Sequence, residues 1–313
     1  MQTRECCVCG RPVAPDAELV RGRCFCPKHR VSLGQNRRAI WTATGVALLG
    51  LLLFALVVHW VVGRTQPQLS GGALVLVGAV CALVPALLWL IVFYAQDHAE
   101  PEPKRYVLGT FLAGGALALL VSTPLLSDVY QLQNWLSSAS WPVQLLGYVL
   151  ISGFVQEFCK YAAVRYTVYR SAEYDERIDG IVYGAAAGLG FAAVLNMQYV
   201  LGNNGVRLDV GVVRITVTAL ANASFAGVMG YFMGRAKFER MGKAWLPAGL
   251  CLAAVLNGVV TFVLSLVSHR GLDYVPLNRL ALAGAVALVV FAVLLYLIAR
   301  LNAQDRAAEG RGA

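Results

Sequence analysis

Residues 179–201 read DGIVYGAAAGLGFAAVLNMQYVL, a run that carries no charge after Asp179. A helix needs about 20 predominantly apolar residues to cross the hydrocarbon core of a bilayer, and this run is long enough. Gly180, Gly184 and Gly188 recur at every fourth position, so they share one face of the helix. Small residues at this spacing let two helix backbones approach closely in lipid. The run therefore predicts a transmembrane helix that packs tightly against a neighbour.

Seven further apolar runs of similar length occur in the 313-residue chain. They cover roughly residues 39–62, 72–94, 107–126, 143–165, 211–234, 245–268 and 279–299. The chain is 58% hydrophobic and only 14% charged, whereas about a quarter of the residues of a soluble domain are charged. We expect an all-α polytopic membrane protein, a bundle of about eight transmembrane helices with a small N-terminal cytoplasmic zinc-binding module. The composition excludes an aqueous enzyme, a nucleic-acid-binding protein and a disordered scaffold as primary interpretations.

The basic residues predict the orientation of the bundle. If both ends lie on one side, the segments on that side hold twenty of the 26 Lys and Arg residues, and those on the other side hold four. Because Lys and Arg accumulate in cytoplasmic loops, we expect a multi-pass protein of the plasma (inner) membrane with both termini in the cytoplasm. The expected parts are a head and linker (1–38), the helical domain (39–300) and a polar cytoplasmic tail (301–313). Arg214, near an outer span end, is expected to extend to the membrane interface.

The polar head contains five of the eight cysteines. The candidate metal ligands form two close pairs, Cys6 with Cys9 and Cys26 with His29. Three thiolates and one imidazole at this spacing suit a tetrahedral structural zinc, and the stretch resembles half of a LIM domain or a treble-clef zinc knuckle. Cys7 and Cys24 could each replace a neighbouring ligand, and reduced thiols without metal are the alternative. A site with four protein ligands leaves no position for water, so the head is interpreted as a docking or sensing module.

Several polar side chains fall inside the predicted spans, where an ionisable or amide group is costly and usually faces the interior of a bundle. They are Gln156, Glu157 and Lys160 in the fourth span, Asn196 in the fifth, Asn222 in the sixth and Asn257 in the seventh. Helical spacing places Asn196 and Asn222 on the small-residue faces of their helices. The three Asn side chains, Gln156 and Lys160 could therefore line one polar cavity. The alternative is structural, with Glu157 and Lys160 paired on one helix and the amides hydrogen-bonded between helices.

Motifs that resemble a known family extend across residues 82–268. They comprise Pro85, Trp89, Tyr94, Asp97, Glu100, Pro101, Glu102, Pro103 and Phe111, then Gln156, Glu157 and Lys160, then the run from Asp179 to Phe191, and finally Gly230–Gly234. Together they resemble the PrsW family of intramembrane metalloproteases. The resemblance implies a transmembrane partner or substrate, such as an anti-sigma factor or another single-span protein, that is cut at a metal site within the membrane.

The same resemblance implies five catalytic or metal-binding positions: two adjacent glutamates, a third glutamate and two histidines. This chain has Gln156, Glu157, Leu195, Asn222 and Asn257 at those positions, so only Glu157 is retained. Zinc is bound by His, Cys or carboxylate side chains, and a neutral Asn amide is a poor substitute for imidazole. We therefore expect no intramembrane metal.

These substitutions favour a non-catalytic protein, a pseudoprotease that binds or regulates a transmembrane partner and whose zinc head links that binding to a cytoplasmic event. The alternative is an active intramembrane metalloprotease, in which Glu157 would activate water and other ligands would complete the site. A transporter or channel built around Glu157 and Lys160 is the third hypothesis, and only that one charge pair supports it.

Overall fold

The structure is a computed structural model that describes residues 4–6, 11–14, 24, 26–28, 37–65, 68–96, 102–205, 208–268 and 277–309. Near the N-terminus, two short strands, β1 (Arg4–Glu5) and β2 (Pro12–Val13), pair antiparallel, with Arg4 opposite Val13. Almost all of the other described residues are helical.

The helices, in chain order, are α1 (Arg37–Thr65), α2 (Gly71–Gln96), α3 (Lys104–Leu117), α4 (Leu132–Leu136), α5 (Trp141–Gly147), α6 (Phe154–Thr167), α7 (Asp179–Gly202), α8 (Leu208–Phe238), α9 (Trp245–Ser268) and α10 (Leu277–Glu309). The π-helical segments Ala118–Ser122 and Leu125–Val129 extend α3, and a third, Tyr148–Gly153, joins α5 to α6. Each extended helix counts as one span, so the described chain has 8 helices long and apolar enough to cross a membrane. The predicted all-helical, multi-pass architecture is confirmed.

Helix α7 lies at the centre of the bundle, in contact with α2, α3, α6 and α8. Its glycines allow this position, because a Cβ at Gly180, Gly184 or Gly188 would overlap a backbone carbonyl oxygen of α8. On the opposite face, a Cβ at Gly190 would overlap the carbonyl oxygen of Phe111 in α3. The close helix packing predicted from the glycine spacing is therefore confirmed.

Helix α9 packs equally closely against the joint between α5 and α6. A Cβ at Gly258 would overlap the backbone of Tyr148 and Val149, and a Cβ at Gly153 would overlap the carbonyl oxygen of Ala254. A π-helical turn holds about one residue more than an α-helical turn, so it changes the direction in which the following side chains point. The two contacts and the π segment together set residue 157 of α6 beside residue 257 of α9.

The outer surface of the bundle is apolar. Large side chains of α1, including Leu52, Leu56 and Trp60, are exposed, and α1 packs against α2 and α8. An apolar surface of this kind would cause aggregation in water but is solvated by lipid. This arrangement supports the expectation that the protein is surrounded by a lipid bilayer.

A polar network holds the end of α8 near residue 238. Glu239 accepts hydrogen bonds from Nε of Arg235 at 2.8 Å and from Nη1 of Arg177 at 3.0 Å. The hydrogen bond from Arg235 is the main reason that the pKa of the Glu239 carboxyl is lowered. The network ties the segment before α7 to the end of α8.

Candidate functional site

A cavity of about 360 Å³ lies between α6, α7, α8 and α9. Its lining includes Gln156, Leu195, Asn196, Asn222 and Asn257. The structure thus brings the three Asn side chains and Gln156 together on one cavity. Gln133 of α4 and Tyr148 of the π segment also contribute to the lining.

Lys160, which the sequence places with this group, is not among the lining residues. It is almost completely buried, and its Nζ donates to Oε1 of Glu157 at 2.6 Å. The same nitrogen lies 5.0 Å from the centre of the Phe191 ring. Lys160 therefore forms an ion pair inside the protein, with a carboxylate three residues before it in the same helix.

Glu157 is fully buried in the first turn of α6. Its Oε1 accepts a second hydrogen bond, from Nδ2 of Asn257 on α9, also at 2.6 Å. Its Oε2 is buried and has no hydrogen-bond partner among the described residues. One carboxylate oxygen is thus bound by an ammonium and an amide, and the other is unsatisfied.

The amide of Asn257 links Glu157 to further polar groups. Its Nδ2 also approaches Oε1 of Gln156 at 3.3 Å, and its Oδ1 accepts from Oγ1 of Thr261 at 3.0 Å. Nε2 of Gln156 in turn donates to Oγ of Ser152 at 2.9 Å. The amide is therefore oriented by three neighbours, Glu157, Gln156 and Thr261, with its NH2 group towards the carboxylate and its oxygen turned away.

The other two Asn side chains bond to backbone groups of α8. Nδ2 of Asn196 donates to the carbonyl oxygen of Ile215 at 3.1 Å, and Nδ2 of Asn222 donates to that of Thr218 at 2.9 Å. Oδ1 of Asn222 is buried without a hydrogen-bond partner in the described part of the chain. Asn196 therefore fastens α7 to α8, while Asn222 offers one unsatisfied acceptor.

Arg214 also lines the cavity, which differs from the expectation that it extends to the membrane interface. The carbon of its guanidinium lies 3.9 Å from the centre of the Tyr199 ring, a position that favours a cation. The side chain turns inwards because this aromatic face lies beside it on α7. The four-residue spacing of Arg214, Thr218 and Asn222 is the sequence signal that would have placed Arg214 on the cavity.

The donor chemistry around Glu157 does not fit a zinc ion. Zinc sites are built from His, Cys and carboxylate ligands, and the described residues hold no group of three or more His, Cys, Asp or Glu side chains that could bind a metal. The neighbours of Glu157 are an ammonium and an amide NH2 group, which donate hydrogen bonds and cannot serve as ligands. The site as built can hold hydrogen-bonding groups of a ligand.

The candidate ligands of the head fall only partly within the described residues. Cys6 and Cys26 are buried, as is Cys24, one of the two surplus cysteines. The backbone N–H of Cys6 donates to the carbonyl oxygen of Arg11 at 2.8 Å, directly beside the β1–β2 pair. Cys9 and His29 lie outside the described residues, so the zinc knuckle stays a prediction.

Comparison with known proteins agrees with this architecture. Residues 102–298 match the family model described as PrsW family intramembrane metalloprotease. Protease PrsW of Bacillus subtilis (strain 168) is 30% identical over 189 residues, which are 60% of this chain and 82% of that protein. Protease PrsW of Geobacillus kaustophilus (strain HTA426) is 33% identical over 201 residues, 64% of this chain and 84% of that protein. No solved structure matches the chain significantly. Because the family model covers more than half of its length, the chain belongs to the PrsW family of intramembrane metalloproteases.

Proposed function

We propose that this protein binds a transmembrane segment of a partner protein in the cavity and does not cleave it. The observation that carries the proposal is the double hydrogen bond to Oε1 of Glu157, from Lys160 and from Asn257, each at 2.6 Å. A carboxylate oxygen that already accepts hydrogen bonds from a buried ammonium and an amide is poorly available to a metal ion. The substitutions Leu195, Asn222 and Asn257 at the family's remaining positions supply no replacement ligand.

The lining of the cavity supports a binding role. Amide side chains both donate and accept hydrogen bonds. Six of them surround one space: Gln133, Gln156, Asn196, Asn203, Asn222 and Asn257. Inside a membrane, every backbone N–H and C=O of a bound segment needs a partner. A cavity rich in amides therefore suits a segment whose helix opens locally and exposes peptide groups.

The alternative is an active intramembrane metalloprotease that cleaves an anti-sigma factor or another single-span membrane protein. Two observations favour it: the unsatisfied Oε2 of Glu157 and the name Protease PrsW that the matching relatives share. In this alternative, Oε2 would accept a proton from water, and a metal would be held by ligands beyond those that the described residues supply.

We also propose that Cys6, Cys9, Cys26 and His29 bind a structural zinc, that the protein lies in the plasma membrane and that both termini are cytoplasmic. The burial of Cys6, which directly follows β1, and of Cys26 supports the first proposal. The excess of basic residues on one side supports the third. The zinc head would then couple the binding of a partner in the membrane to an interaction in the cytoplasm.

Reconstitution tests the proposed function against the alternative. The full-length protein is placed in liposomes with single-span candidate partners labelled at both ends, and association and cleavage are measured with and without a zinc chelator. We expect association without cleavage, and we expect Glu157→Gln to retain the partner. Cleavage that stops on chelation or in Glu157→Gln would overturn the proposal and establish the protease.

A further inference from the structure

We infer that Arg214 is a carboxylate-binding site in the cavity, and that the bound partner segment carries an acidic side chain opposite it. The inference rests on the proposed binding function and names a determinant of partner choice. It assigns the residue a role in recognition that is separate from the chemistry of Glu157.

The charges of the cavity are unbalanced. Of the described residues that line it, Arg214 alone is charged. No ion pair of Arg214 occurs within the part of the chain that the structure describes. The carboxylate of Glu157 is already neutralised by Lys160. An anion bound beside Arg214 would therefore complete the charge balance of the site.

Arg214 also has an unsatisfied hydrogen-bond donor. Its Nε is buried and has no acceptor among the described residues, and the Tyr199 ring covers one face of the guanidinium. A buried donor without an acceptor is costly, above all when it is charged. The guanidinium edge matches the two oxygens of a carboxylate, so a carboxylate satisfies the charge and the hydrogen bonds together.

The position of Arg214 along α8 indicates where the acid lies in the partner. Arg214, Thr218 and Asn222 occupy successive turns, and the eight residues from Arg214 to Asn222 span about 12 Å along the helix. Arg214 is close to the start of the membrane-length stretch Gly211–Phe238. The acidic side chain is therefore expected near one end of the partner's apolar segment, about two turns from the residues that face Asn222 and Asn257.

The lining next to Arg214 favours a peptide over a phospholipid. Thr218, Asn222 and Asn257 present hydroxyl and amide groups deeper in the cavity. Oδ1 of Asn222 is a buried acceptor without a partner among the described residues. Acyl chains attached to a phosphate at Arg214 would leave it unsatisfied, whereas a peptide N–H of an opened segment would donate to it.

The probes that test this inference are two single-span Leu–Ala peptides, capped at both termini and differing by one residue near one end, Glu or Gln. Their affinities for the full-length protein are measured by energy transfer in phosphatidylcholine nanodiscs. We expect the Glu peptide to bind about tenfold more tightly, which corresponds to about 1.4 kcal/mol. Arg214→Gln should remove this preference, and Arg214→Lys should retain part of it because it keeps the charge.

Arg64 supplies the control, because it is an exposed arginine near the end of α1. Arg64→Gln should leave the Glu preference unchanged. The affinity of each variant for the Gln peptide shows that the cavity is still folded. Equal binding of the two peptides by the natural protein, or an undiminished preference in Arg214→Gln, overturns the inference and leaves the proposed function in place.

Two other outcomes also contradict the inference. A Glu preference that vanishes when phosphatidylglycerol is added shows that Arg214 takes an anionic lipid headgroup in preference to the acidic side chain of the peptide. Failure of either peptide to bind any form of the protein contradicts the proposed binding function, and the inference falls with it.

Discussion

Replacing Lys160 with Met tests the buried ion pair on which the proposed inactivity depends. Both side chains of the pair are almost completely buried, and Met has a similar length without the charge. Breaking a buried pair by removing one partner costs about 3–5 kcal/mol, because the remaining charge is uncompensated. The hydrogen bond from Asn257 to Glu157 remains in the variant, so we expect the lower end of this range, about 3 kcal/mol.

The double variant Glu157→Gln with Lys160→Met separates the charge from the packing. Replacing both members of a buried pair by neutral side chains of similar volume is often neutral or stabilising, so we expect the double variant to lie within about 1 kcal/mol of the natural protein. Lys104→Met, at an exposed lysine at the start of α3, is the control and should change stability by less than about 0.5 kcal/mol. The free energy of unfolding is measured in mixed micelles by titration with dodecyl sulfate.

A cost of less than about 1 kcal/mol for Lys160→Met, with the double variant behaving like the single one, would contradict a buried ion pair between Lys160 and Glu157. In that case Lys160 would not hold the carboxylate, and Glu157 would be available to a metal ion or a water molecule.

Three further predictions concern the packing around the site and the ends of the bundle. Gly258→Val should force α9 away from Tyr148 and Val149 and cost about 3 kcal/mol in the same dodecyl sulfate titration. The control Gly242→Val, where a Cβ meets no neighbour within 4 Å, should be nearly neutral. Asn257→Leu should cost about 2 kcal/mol, because it removes the amide from a buried carboxylate, and an unchanged unfolding free energy would contradict this geometry. Glu239→Gln should cost about 0.5–1 kcal/mol at neutral pH, since its partners are partly exposed. The pKa of Glu239 is lowered in the folded state. The stabilisation by Glu239 is therefore present above the pKa of an unfolded glutamate, near 4.3, and is lost as the pH falls through the pKa of the folded state. The unfolding free energies of the natural protein and of Glu239→Gln should thus converge in acid.

The spans were predictable because each depends on a property of a continuous segment. The length of an apolar run sets whether it crosses the bilayer, and the four-residue spacing of Gly180, Gly184 and Gly188 sets which face meets α8. The pairing of Glu157 with Lys160 is equally local, since residues three apart in a helix are neighbours. These features can be predicted without knowing which distant segments of the chain pack together.

The orientation of individual side chains was harder to predict because it depends on contacts between helices. Arg214 turns inwards because Tyr199 of α7 lies beside it, and the hydrophobic pattern of α8 does not contain that information. Lys160 is absent from the cavity lining because Glu157 binds it and Phe191 packs against it. The π segments also escape prediction, because their effect on helix register arises from backbone hydrogen bonds and not from a side-chain pattern.

The π segment Tyr148–Gly153 determines how the protein tolerates changes in chain length. Deleting one residue within it would restore an ordinary α-helical turn and rotate α5 by about 100° relative to α6. Since Gly153 and Ala254 fix the start of α6 against α9, the rotation would be taken up by α5 and by the preceding segment that carries Gln133. A single-codon deletion could thus reshape one wall of the cavity while the carboxylate and its two hydrogen-bond donors keep their positions.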